Sequence, residues 1–234
     1  NGTWLLDPYD MTVGASDISA SVGPNFTPTA SGSTVAASTI NALLDGGTSV
    51  IVDTTGAGAE VGDITVNTAI TKVNGTDATL TLKAHDDIFV NAGITSTAGK
   101  LNVVLQADQA GSAPNGMVTI GNSVNVITNG GDFTASGKLM NLQGSVSAGS
   151  GLAWLYPSGT GQAIDLGAVP DSTFALSANE LNTITAATLR IGATTAGALN
   201  ISAAINPTNT SVLSLVSGGN VTQSAAGTIT VNSL

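Results

Sequence analysis

The sequence predicts an all-β protein, a right-handed parallel β-helix (β-solenoid) with one short helix near residues 37–45. Three observations carry that expectation. Short segments of alternating apolar and polar residues follow one another, broken by Gly, Asn, Asp and Ser. An apolar skeleton recurs along the chain at uneven spacing. Only 9% of residues are charged, against about 25% in an ordinary globular domain.

Residues 1–45 read as an amino-terminal cap or junction. "NGTWLLDPYDM" gathers two aromatics, two leucines and a proline in a chain that is 3% aromatic. Trp4, Leu5 and Leu6 supply apolar bulk, Asp7 and Pro8 turn the chain, and Tyr9 adds a second ring. The stretch 14–37 is rich in Ser, Thr, Gly and Pro and reads as an irregular loop, with Pro24 and Pro28 against a strand. In "AASTINALLDGG" Ser38 is the expected N-cap, Ile40, Leu43 and Leu44 share a face, and Gly46 ends the helix.

Residues 46–234 read as one continuous run of β-helix coils. Strand-like segments include "SVIVDT", "DITVN", "ATLTLKA", "DIFVNAGI", "KLNVVLQA", "MVTIG", "TLRIGA", "ALNISAAI" and "TITVNS". Ile64-x-Val66-Asn67-x-x-Ile70 matches Ile88-x-Val90-Asn91-x-x-Ile94 at an offset of 24. The skeleton returns as Val118, Ile120 and Val124, then as Leu199, Ile201 and Ile205. Two apolar residues two apart share one strand face. Coils stacked at about 4.8 Å would bury a narrow aliphatic column and expose ladders of Thr, Ser and Asn. Stacked like charges would repel, so few charges suit such a fold. A competing immunoglobulin-like sandwich needs hairpins, for which Asn115-Gly116 and Asn129-Gly130 are the candidate turns.

Composition excludes several functions. No cysteine is present, so disulfides and thiolate metal sites are ruled out. Five cations (Lys72, Lys83, Lys100, Lys138, Arg190) face fifteen acids and form no basic patch, which argues against nucleic acid as a partner. No apolar run approaches the roughly 20 residues of a membrane helix. The start at Asn1 without a signal peptide, and the stop after "TITVNSL", read as a piece of a longer precursor.

Over residues 2–95, "GTWLLDPYDMTV" and the segment from "SGSTVAASTINALLDGGTSVIVDTT" to "VGDITVNTAI" resemble the filamentous-haemagglutinin-like bacterial adhesins of two-partner and related type V secretion. Trp4 to Asp10 resembles their entry into a β-helix block, and Ile40 to Val50 their short helix followed by a Gly-Thr-x-Val strand. No Asn-Pro-Asn-Gly secretion motif is found, so the chain resembles passenger shaft. The resemblance implies an extracellular or cell-surface location, an outer-membrane transporter during export, and a surface receptor or glycan as partner.

Chemistry is sparse. His85 is the sole histidine, so a Ser-His-Asp triad has little to build on, and "AHDD" reads better as a polar corner than as an acid–base cluster. Asp63 and Asp87 precede the equivalent Ile64 and Ile88 and should stack. With Asp86 they are the candidate oxygen ligands for Ca²⁺, the sole cofactor considered; Asp7 and Asp10 read as turn and backbone-capping residues instead. Trp4 and Tyr9, or Trp154 and Tyr156, could stack on sugar rings, but capping an otherwise open apolar column is the stronger reading. The sequence thus points to a non-enzymatic structural and adhesive segment of a secreted exoprotein, with end-to-end assembly into filaments as a variant. A polysaccharide-binding or polysaccharide-cleaving β-helix is the alternative.

Overall fold

The computed structural model describes residues 8–56, 58–109, 116–167 and 174–231. These are mostly β, in parallel sheets, one of them curled into a half-barrel, with few helices. The two antiparallel contacts among the described residues are isolated bridges, Ile18 with Thr34 and Ala20 with Pro28. Hairpins therefore do not build the sheets. Asn129 and Gly130 do take positive φ, 53° and 83°, but they turn a corner between Asn125–Ile127 and Phe133–Gly137, strands that do not pair with each other. Asn115 lies outside the described residues.

A six-stranded sheet runs in the order Leu139–Leu142, Met117–Ile120, Ile88–Val90, Ile64–Val66, Met11–Gly14, Ser33–Ala36. The offset of 24 seen in the sequence is its register: Ile64 pairs with Ile88 and Val66 with Val90. Val118 and Ile120 continue the two columns. All six side chains are fully buried, each worth about 1.5–3 kcal/mol relative to exposure. The next column departs from expectation, because Val126 and not Val124 pairs with Ile94. A turn with Val124 N–H on Gly121 O, and Ser123 at φ 63°, lengthens that corner. A four-stranded sheet, Phe174–Ser177, Ile164–Gly167, Leu199–Ile201, Val221–Gln223, carries Leu199 and Ile201 opposite Ile164 and Leu166. Of the predicted strand "TITVNS", residues 228–231 are described, and their sheet pairing is one bridge between Ile205 and Ile229.

The eleven-stranded sheet has two limbs. One contains Ile70–Lys72, Ile94–Ser96 and Asn125–Ile127; the other contains Asn25–Phe26, Val50–Asp53, Ala78–Lys83, Leu101–Gln106 and Phe133–Gly137. The 13-residue strand Ser145–Pro157 joins them, pairing with both Asn125–Ile127 and Phe133–Gly137. It continues to Ile184–Gly192, with register shifts between Ser147 and Leu152. Gly149 takes φ 57° at this bend, and a Cβ on Gly151 would overlap Gly131 O. Glycine is what lets one strand follow both limbs.

The helix Ala37–Asp45 ends at Gly46 as expected and buries Ile40 and Leu44. Its N-cap is Ala36, not Ser38. Asp17 supplies the missing acceptor from a distance, taking the Ala36 N–H at 2.7 Å and the Thr39 hydroxyl at 2.8 Å. A second helix, Ala178–Asn182, was not expected. It starts in a capping box of Ser177 and Glu180, a spacing visible in "SANE". Each helix directly follows a strand that is out of sequence order: Ser33–Ala36 lies outside Met11–Gly14, and Phe174–Ser177 lies outside Ile164–Gly167.

Lys72, counted among the scattered cations, is fully buried. Its ammonium donates to Asn74 O and to Ala98 O. Ser96, its register partner, bonds Ala98 O and Gly99 O, and Thr128 bonds Gly131 O. One inner corner is thus lined by side-chain donors that satisfy turn carbonyls. Among the described residues no helix is long and apolar enough to cross a membrane.

Candidate functional site

Among the described residues two clusters of chemically active side chains stand out. The first is acidic and lies where the chain enters the six-stranded sheet. Asp10, Asp63 and Asp87 each precede a strand whose first residues, Met11, Ile64 and Ile88, are in register. The three carboxylates are spent on the backbone of the next pass. Asp10 Oδ1 accepts from Gly62 and Asp63 N–H, both at 2.8 Å. Asp63 Oδ1 accepts from Asp87 N–H at 3.0 Å, and Asp87 Oδ1 from Met117 N–H at 2.6 Å. The expected stacking of Asp63 and Asp87 is therefore present, and its role is to accept backbone N–H groups where the next pass enters the sheet.

Asp86 and Asp108 sit beside this row. Asp108 N–H donates to Asp86 O at 2.9 Å, and Asp108 Oδ2 accepts from Ser158 at 2.7 Å. One buried oxygen on each, Asp86 Oδ1 and Asp108 Oδ1, has no hydrogen-bond partner. His85 places Nδ1 3.1 Å from Val61 O. Burial, with the charges of Asp10, Asp87 and Asp86, pushes the Asp63 carboxyl up to about 6 against the hydrogen bond from Asp87. Burial also raises Asp86, with Asp87 adding repulsion, and burial raises Asp87. The calcium reading of Asp63, Asp86 and Asp87 gains no geometric support. No group of three His, Asp or Glu able to hold a metal ion is found among the described residues.

The same row explains Pro8 and Tyr9. Pro8 is buried and Tyr9 partly buried; Pro8 O accepts from Glu60 N–H at 2.6 Å, and a Cβ on Gly62 would overlap the Pro8 ring. Glu60 in turn accepts the Asp10 N–H at 2.8 Å. Asp10 and Pro8 thus clamp the segment 60–63. Trp4, Leu5, Leu6 and Asp7 lie outside the described residues.

The second cluster is aromatic. Ala153 and Leu155 of Ser145–Pro157 point inward and are buried, which turns Trp154 and Tyr156 outward on the sheet, each partly exposed. They cap nothing: the strand lies in mid-ladder between Phe133–Gly137 and Ile184–Gly192. Their ring centroids are 4.5 Å apart with planes inclined at 32°. Trp154 Nε1 donates to Gly192 O at 2.8 Å. Arg190, the register partner of Trp154, sets its guanidinium 5.7 Å from the indole centroid. The sequence showed the Trp–Tyr pair but not Arg190, which is 36 positions later in the chain and meets it only through the parallel register. No protein-family model matches the chain, and no curated protein matches it.

Proposed function

We propose that the chain is a segment of a right-handed parallel β-helix exoprotein, secreted and displayed on a bacterial surface, serving as a structural and adhesive rod. The observation that supports this reading best is the run of side-chain ladders along the strand stack. Asn91 Nδ2 bonds Asn67 Oδ1 at 3.1 Å. Asp132 N–H bonds Asn102 Oδ1 at 2.9 Å, and Leu152 N–H bonds Asp132 Oδ1 at 2.8 Å. Thr222 and Asn200 continue from Asp165 in the same manner. Ladders of this kind stabilise repetition along one axis and leave the lateral surface polar, charge-poor and available for contact. A catalytic reading has less behind it, because Asp10, Asp63 and Asp87 are occupied by backbone N–H groups. The filament variant is also the weaker one. The outer side of Ser33–Ala36 meets the antiparallel bridge from Ile18, and Val50–Asp53 is covered by Asn25–Phe26. Both would have to move before another chain could add there.

Beads coated with the purified chain test the adhesive part, counted on host epithelial cells and on bacterial lawns against albumin-coated beads. Retention well above albumin on at least one surface is expected. Equal retention on all of them removes the adhesive role. A crystal structure that winds left-handed, or not helically, removes the architectural part.

A further inference from the structure

We infer that Trp154, Tyr156 and Arg190 form a binding platform for a carboxylate-bearing saccharide. The inference rests on the adhesive reading above and names the class of partner for it. The platform is built by register, not by chance proximity. Thr134, Trp154, Arg190 and Ser214 occupy one outward row on four successive parallel strands. Strand spacing sets neighbours in this row about 4.8 Å apart. Tyr156 stands two residues from Trp154 on the same face, and the two rings form one tilted stack.

Each part of this cluster is held in place. The indole is fixed at its polar edge by Gly192 O and flanked by Tyr156 and Arg190. Fixed aromatic faces bind pyranose rings at small entropic cost, because nothing needs ordering on contact. Arg190 adds selectivity. The one ion pair among the described residues is Lys83 with Asp53, so no described carboxylate neutralises Arg190. Its Nε is buried and has no hydrogen-bond partner. That atom is out of a ligand's reach, but the two terminal nitrogens of a guanidinium also match a carboxylate in bidentate geometry. In a chain of formal net charge −10, an arginine that makes no ion pair with a described carboxylate and stands beside the aromatic pair is complementary to an acidic ring. Uncharged sugars would use the rings but leave the guanidinium unmatched.

Titration of the intact chain with oligogalacturonate, followed by tryptophan fluorescence and by calorimetry, tests this. The fully methyl-esterified oligomer, which has the same rings without charge, is the comparison. Trp4→Phe serves as the background, so that Trp154 alone reports. Binding is expected, at least tenfold tighter for the acid than for the ester, and weakening as salt rises. Arg190→Gln is expected to erase the difference between the two oligomers while keeping residual binding. Tyr156→Ala is expected to weaken both, and Trp154→Ala to abolish both. Circular dichroism and melting identify any variant that fails to fold; Arg190→Gln and Tyr156→Ala leave the Trp154–Gly192 bond intact and carry the test in that case. No binding of the acid, equal binding of the ester, or unchanged preference in Arg190→Gln overturns the proposal. Beads that adhere while oligogalacturonate fails would reject the platform and keep the adhesive rod.

Discussion

Replacing Asp63 by Asn should stabilise the protein at neutral pH and leave it unchanged in mild acid. Asp63 keeps its place in the row by accepting from Asp87 N–H, a task the Asn carbonyl can perform. What Asn lacks is the charge, which burial and the neighbouring Asp10, Asp87 and Asp86 oppose, lifting the carboxyl from 3.8 to about 6. A folded-state value above the unfolded one means that the native protein binds the extra proton between pH 3.8 and 6. Asp63 therefore subtracts stability as pH rises through that window, fully above it and not at all below. About two units at 1.36 kcal/mol each sets a ceiling of about 3 kcal/mol. Part of the carboxyl is reached by solvent, which reduces the expected gain of Asp63→Asn to about 1 kcal/mol. Urea unfolding of both proteins at pH 7.5 and pH 4 reads the difference directly. The reasoning fails if Asp63→Asn is no more stable at pH 7.5, or if its advantage grows as pH falls.

Three further substitutions probe the frame. Ile88→Ala empties the middle of the Ile64–Ile88–Val118 column and should cost about 2–5 kcal/mol in urea unfolding. Glu180→Ala removes the capping box and the acceptor that holds Leu142 N–H at 3.0 Å; a loss of about 1–2 kcal/mol is expected, with amide exchange at Leu142 accelerated beyond that at Leu82. Gly192→Ala places a Cβ against Val216 O at a φ of 89°. It should lower the melting temperature and red-shift Trp154 emission, because the strained carbonyl at Gly192 also receives the indole N–H.

Period-two alternation made the inward faces legible: the residues that the pattern set inward in Ile64–Val66, Ala78–Lys83, Ile88–Val90 and Leu101–Gln106 are the buried ones. The repeat at offset 24 even carried the register, since identical residues two apart can stack only one way without exposing the column. Legibility ended where spacing changed. The corner at Gly121–Val124 shifted Val126 into the place expected of Val124. The strand Ser145–Pro157, with glycines at 149 and 151, is not among the segments that read as strands, because its bend interrupts the alternation. Another signal went unread. Trp154-Leu155-Tyr156-Pro157 precedes a strand ending in Gly167, as Trp4, Leu5 and Pro8 precede one ending in Gly14, and both strands are flanked by a later strand that leads into a helix.

By itself the sequence determined the local properties of this protein: all-β strands, an aliphatic interior, a polar exterior with few charges, and acids placed at turns. Those follow from side-chain period and composition, which act over a few residues. Tertiary structure decided which residues meet. Asp10 reaches Asp63 across 53 positions, Asp17 caps a helix across 19, and Arg190 joins Trp154 through strand register. The physical reason is that a parallel ladder fixes neighbours by the length of the connection between passes, and that length varies with every corner. The aromatic pair was visible in the sequence, but the cation that strand register sets beside it was not.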